Sequence, residues 1–132
     1  MGKVIIDTYS IAALLNAEKN YEEIFTHIDK FRQNRTRMLM SVINFGELYY
    51  FMLRKKGMQA AESLESMLAG IPIEIVEAGK EEVVMAARYK AYKKMSYADC
   101  FAAALAKIHK APVLTGDKGF KEVEGEIKVI WV

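Results

Sequence analysis

Five short apolar runs alternate with longer amphipathic stretches along the chain. The runs cover residues 3–7, 38–41, 73–76, 113–115 and 127–132. None alternates cleanly between apolar and polar positions. That is the pattern of strands buried on both faces, as in a parallel sheet. Pro72 and Pro112 stand just before the third and fourth runs, where a strand tolerates proline.

Between the runs, apolar residues recur at i, i+3 and i+4. Residues 10–17 carry Ile11, Leu14 and Leu15, and 21–33 carry Ile24, Phe25, Ile28 and Phe31. Residues 44–56 carry Phe45, Leu48, Phe51 and Met52 and end at Gly57; 58–68 end at Gly70. Residues 80–94 carry Val83, Val84, Ala87 and Ala91, and 97–110 carry Phe101, Leu105 and Ile108. Each is therefore a helix with one buried face. Strands alternating with helices imply right-handed crossovers. The expected fold is α/β: a three-layer α/β/α arrangement around a mostly parallel sheet of about five short strands, with six or seven helices. Such sheets bind ligands beyond the carboxyl ends of their strands, where strand order reverses.

Composition narrows the class without naming a function. A chain of 132 residues, 52% hydrophobic and 27% charged, suits one cored domain over 1–132. The single Cys100 excludes an internal disulfide and a cysteine-rich zinc site. No run has the length of a signal peptide core or a membrane span. A cytoplasmic protein is the expectation. The net charge of +2 neither demands nor forbids a polyanionic partner.

The acids carry the chemistry. Asp7 ends the first strand, and Asp117 follows the fourth. Glu47 falls in the first turn of the helix after the second strand. Asp99 falls in the first turn of the helix leading into the fourth. In a parallel sheet all four emerge on the carboxyl edge. Taken singly, each has an ordinary explanation. Asn44-x-x-Glu47 and Ser96-x-x-Asp99 resemble capping boxes, and Asp7 and Asp117 suit N-caps or turns. Taken together, four converging carboxylates must raise one another's pKa or bind a cation. A set without His or Cys suits a hard ion such as Mg²⁺ or Mn²⁺. Such an ion activates water and shields a phosphodiester. Thr115 and Asn44 are placed to support the carboxylates by hydrogen bonds.

The pieces Val4-Ile5-Ile6-Asp7-Thr8, Ser41 to Leu48, Tyr97 to Ala106 and Leu114 to Phe120, in that order and spacing, resemble the PIN domain. This is the ribonuclease fold of VapC-type toxins in toxin–antitoxin pairs. The resemblance spans the whole chain. It implies a metal-dependent endoribonuclease with Asp7, Glu47, Asp99 and Asp117 around Mg²⁺ or Mn²⁺, leaving 5′-phosphate and 3′-hydroxyl ends. Thr115, Asn44, Thr8 and Ser10 would be supporting polar residues. It also implies an RNA substrate, a separately encoded antitoxin and a homodimer, and no membrane. Members often carry a further acid two positions after the last Asp, where this chain has Gly119. That points to a weak second metal position. Members often have a small polar residue where this chain has Tyr9; Ser10 is the nearest substitute for its hydroxyl.

Basic clusters supply candidate RNA contacts. Arg88, Lys90, Lys93 and Lys94 lead directly into Asp99, and Lys118 sits beside Asp117. Tyr89, Tyr92 and Tyr97 are placed to stack on bases. Lys30 to Arg37 and Arg54 to Lys56 read more simply as helix-end charges. Cys100 reads as a small buried hydrophobe. Assigning four acids to the site leaves 13 acids against 19 bases elsewhere, so a basic surface around an acidic pocket is expected. Two other functions compete. A binding module of the same shape would hold RNA or a partner without turnover. A receiver-type signalling domain would need an acidic neighbour to Asp7 and a lysine after a further strand, and both are missing.

Overall fold

A computed structural model of the chain describes residues 2–132. The elements run β1 (Lys3–Ile6), α1 (Thr8–Leu15), α2 (Tyr21–Gln33), β2 (Arg37–Ser41), α3 (Val42–Lys56), α4 (Met58–Glu62), α5 (Leu64–Gly70) and β3 (Glu74–Val76). Then follow α6 (Lys80–Tyr92), α7 (Tyr97–His109), β4 (Val113–Thr115), a 3₁₀ helix (Lys118–Val123) and β5 (Val129–Trp131). The strands form one sheet in the order β3-β2-β1-β4-β5. Every pair is parallel, with Ile5 opposite Leu39 on one side and Val113 on the other. The expected α/β architecture is therefore present.

Both faces of the sheet are covered, which explains why its strands read as unbroken apolar runs. Val4 and Ile6 of β1 point to one face, where Met38, Met40 and Leu114 meet Ile11, Ile24, Leu48 and Leu68. Ile5 points to the other, with Leu39, Val113, Phe101, Leu105 and Phe120. Helix α7 is the central piece of that second layer. Asp99 through Ala106 are all buried, and Ala102, Ala103, Ala104 and Ala106 let its backbone approach its neighbours closely. Among the described residues, no helix is long and apolar enough to cross a membrane.

Three local departures from the sequence pattern matter for the site. Helix α1 begins at Thr8 rather than at residue 10, because Asp7 caps it by accepting from the Ser10 N–H. Helix α3 begins at Val42, because the Ser41 hydroxyl accepts from the Ile43 N–H. Asn44 is therefore not a cap, and Glu47 falls in the second turn rather than the first. The helix expected over 58–68 breaks at Ser63, whose hydroxyl donates to the Ala60 carbonyl at 2.7 Å. A serine that bonds back to its own turn competes with helix continuation.

Candidate active site

Strand order reverses between β1 and β4. The carboxyl ends of these two strands carry Asp7 and the segment Thr115–Gly116–Asp117. One hydrogen-bonded chain joins them. The Asp7 carboxylate accepts from the Ser10 N–H at 3.0 Å and from the Thr115 hydroxyl. Thr115 Oγ1 in turn accepts from the Asp117 N–H at 3.0 Å. Asp117 Oδ1 accepts from the Gly119 N–H at 2.8 Å. The Ser10 hydroxyl donates to the Leu114 carbonyl at 2.8 Å, tying α1 to the end of β4. Both Asp residues are thus caps as well as members of the acid set.

Asp99 arrives from the first turn of α7. The Ser96 hydroxyl caps that helix by accepting from the Asp99 N–H at 3.2 Å, and Asp99 is buried. A Cβ placed on Gly119 would stand 3.1 Å from Asp117 Oδ1 and 3.7 Å from Asp99 Oδ2. The two carboxylates therefore flank the same glycine. Glu47, half-buried on α3, lines one cavity of about 1140 Å³ together with Asp99 and Asp117. Asp7 lies fully buried beside its floor residue Thr8.

Asn44 locks this corner. Its Nδ2 donates to Thr8 Oγ1 at 3.2 Å and to the Ala98 carbonyl at 3.1 Å. One side chain thereby ties α3 to α1 and to the start of α7. Its Oδ1 is buried with no partner, an acceptor that a water or cation would satisfy.

The electrostatics are those of crowded anions. Asp7 is pushed up to about 6, chiefly by burial; the Thr115 and Ser10 hydrogen bonds pull it back, and Asp117 adds repulsion. Asp99 is pushed up to about 7 by burial, then by Asp117, then by Asp7. Neither is in an ion pair among the described residues. A cation near both would lower both values. The donor chemistry fits a hard divalent ion. The spacing does not yet form a closed cage: among the described residues, no three acid, histidine or cysteine side chains are grouped to clasp one ion.

The expected basic rim is not what surrounds the acids. The cavity is lined by Glu18, Glu22 and Glu23 as well as the three site acids, against only Lys19 and Lys94. Two of the expected RNA contacts are engaged elsewhere. Lys90 Nζ donates to the Met95 carbonyl at 2.8 Å, and Lys93 pairs with Glu126 at 3.5 Å. Arg88 and Lys118 are exposed and do not line the cavity, whereas Lys94 does. Arg37 lies at the amino end of β2, held by Glu74 through two 2.9 Å bonds. Part of the positive charge therefore sits on the edge opposite the acids.

The tyrosines expected to stack on bases lie outside the cavity, with Tyr92 and Tyr97 exposed elsewhere on the surface. Tyr89 is buried, Tyr97 packs edge-on against Phe101, and neither they nor Tyr92 line the cavity. Tyr9 does. Its ring lies against Gly116, where a Cβ would come within 2.4 Å of Cε1 and 2.6 Å of Cζ. We therefore expect Gly116→Ala to cost about 1–3 kcal/mol by overpacking, read as a lower urea midpoint, and to displace the adjacent Asp117.

A comparison with curated proteins gave no match. Among solved structures, the chain is similar to VapBC2 from Rickettsia felis bound to a promoter DNA fragment: 14% identity, TM-score 0.78, 98% of each chain covered. It is also similar to Mycobacterium tuberculosis VapC20, a sarcin-ricin loop cleaving toxin: 17% identity, TM-score 0.74, 96% of this chain and 98% of that one. A third is FitAcB from Neisseria gonorrhoeae, with 22% identity, TM-score 0.70 and 96% of each chain covered. At these identities the likeness is one of fold. The PIN domain family model matches residues 4–126, a span that holds all four acids and the strand reversal they flank. With sheet, acids and family model in agreement, this chain belongs to the PIN domain family.

Proposed function

We propose that this protein is a divalent-cation-dependent endoribonuclease that hydrolyses RNA phosphodiester bonds. The observation that carries the reading is the meeting of Asp7, Asp99 and Asp117 at the strand reversal, two of them pushed toward neutral pH and none paired with a base among the described residues. Burying carboxylates at a shared edge without a counter-ion costs stability. A cation site gives that cost a purpose.

Asp99, Asp117 and Asp7 would hold Mg²⁺ or Mn²⁺, with Glu47 at the cavity wall. Such an ion, when bound, supplies charge neutralisation at the phosphate and a more acidic water. The chain's own residues do the rest. Thr115 holds Asp7 and the Asp117 backbone at fixed separation through one hydroxyl. Ser10 and Gly119 donate backbone N–H groups that orient the carboxylates of Asp7 and Asp117. Asn44 fixes the first turn of α7 relative to α3. Glu47, half-buried and facing the same cavity, is the acid free to orient the attacking water.

The solved structures that share this fold include a toxin–antitoxin complex from Klebsiella pneumoniae. This supports a toxin role with a separate antitoxin protein as partner; a homodimeric toxin acting as one domain over 1–132 in the cytoplasm completes the proposal. The experiment incubates purified protein with mixed RNAs and Mg²⁺ or Mn²⁺, against a chelator and against Asp7→Asn. We expect cleavage with either ion and none in the two controls. RNA bound but never cut under any condition would instead establish a binding module of the same shape.

A further inference from the structure

Resting on the ribonuclease reading, we propose that Tyr9 is a substrate-binding residue: its ring stacks the base next to the scissile phosphate and so positions that phosphate at the acids. Three observations converge on it. Tyr9 is half-buried and lines the same cavity as Asp99, Asp117 and Glu47. The ring is held rather than loose. Its Cε1–Cζ edge lies against Gly116, and its hydroxyl accepts from Asn20 Nδ2 at 3.0 Å. Finally, Gly116 stands between Thr115 and Asp117, so the ring borders the very segment that carries one acid of the site and the threonine that supports it.

The chemistry follows from this placement. On the cavity wall acids outnumber bases, so it repels a phosphate backbone before any ion is bound. Among the described residues, Lys19 and Lys94 are the only bases there. Affinity must therefore come partly from an uncharged surface. A restrained aromatic ring supplies one, because every base has a face that stacks and a fixed ring loses little freedom on binding. Phe51, 37% exposed and lining the same cavity, extends the apolar surface. A base inside a duplex is already stacked on both sides and cannot reach the ring without being extruded. The cavity of about 1140 Å³ has room for a splayed nucleotide. Glycine at 116 is then a requirement of function as well as packing, since any side chain would push the ring from its place.

The test compares the natural protein with Tyr9→Phe and Tyr9→Leu on an oligonucleotide presented unpaired or annealed in a duplex. The phenylalanine variant keeps the ring and loses the Asn20 bond; the leucine variant keeps apolar bulk against Gly116 and loses stacking. We expect Tyr9→Leu to raise KM for the unpaired strand by roughly tenfold with kcat little changed, and Tyr9→Phe to stay near the natural protein. A 2-aminopurine beside the cleaved bond should be quenched on binding in the natural and Phe proteins but not in the Leu protein. Mn²⁺ affinity by calorimetry should be the same in all three. Equal KM and equal quenching in the Leu variant would overturn the assignment while leaving the nuclease intact. Equal losses in Phe and Leu would overturn it too, by pointing to the Asn20 bond. Failure of the natural protein to cut any RNA would overturn both this inference and the reading beneath it.

Discussion

Asp99→Asn is expected to lower RNA cleavage by roughly a thousandfold while making the metal-free protein more stable. The loss follows from removing one of the acids proposed to hold the ion, on the scale of several kcal/mol of charge stabilisation. The gain follows from the same crowding. Burial, Asp117 and Asp7 push the folded Asp99 from 3.8 to about 7. The folded state therefore holds this proton more tightly than the unfolded chain does. Its contribution to stability is fully present below about pH 4 and is lost as pH rises through about 7. Asparagine never ionises, so its advantage is largest above that value and vanishes below about pH 4. Urea denaturation in chelator at pH 5 and pH 8 reads both the sign and the slope. An unchanged or lower stability at pH 8 would mean that the acids do not strain one another.

Phe120→Ala is expected to cost about 3–5 kcal/mol, the range for emptying an aromatic site in a core. Phe120 is fully buried in the α7 layer. Its backbone N–H donates to the Asp117 carbonyl at 3.1 Å, and the 3₁₀ turn it anchors supplies the Gly119 N–H that holds Asp117 Oδ1. Cleavage measured well below the unfolding transition should therefore fall along with stability. Phe120→Leu refills most of the volume and should cost roughly 1–2 kcal/mol with most activity kept. Equal activity in the Ala variant would show that Asp117 is positioned by β4 alone.

The layers and the acid set were legible because both are written in local pattern. Short apolar runs that do not alternate, two of them entered through a proline, fit strands covered on both faces, and parallel strands send their carboxyl ends to one edge. Asp7, Asp99 and Asp117 followed from that alone. What sequence spacing missed depends on side-chain competition and on three-dimensional neighbours. Ser41 rather than Asn44 caps α3, because the hydroxyl reaches the Ile43 N–H from the end of β2. Asn44 is thereby released to bridge to Ala98, and Glu47 moves into the second turn. Lys90 and Lys93 looked free in a basic run, yet each found an acceptor across a loop. A charge run carries no signal of its partners. Tyr9 lines the cavity although it departs from the family pattern; its place two residues past a strand-end acid is the signal the sequence carries for it. The acidic cavity wall was hidden for a similar reason. Glu18, Glu22 and Glu23 belong to the α1–α2 connection and the start of α2, which reach the strand edge only in the folded chain.

The central claim is that these carboxylates form a cation site, and calorimetric titration with Mn²⁺ at pH 6.5 tests it most directly. Repeating the titration in buffers of different ionisation enthalpy counts the protons released per ion. Asp7 and Asp99, raised to about 6 and about 7, are partly protonated at that pH and must ionise to bind. We expect saturable binding that expels about one proton at pH 6.5 and nearly none at pH 8.5, and that is lost in Asp99→Asn. The absence of binding heat, or binding that Asp99→Asn leaves unchanged, would contradict the account.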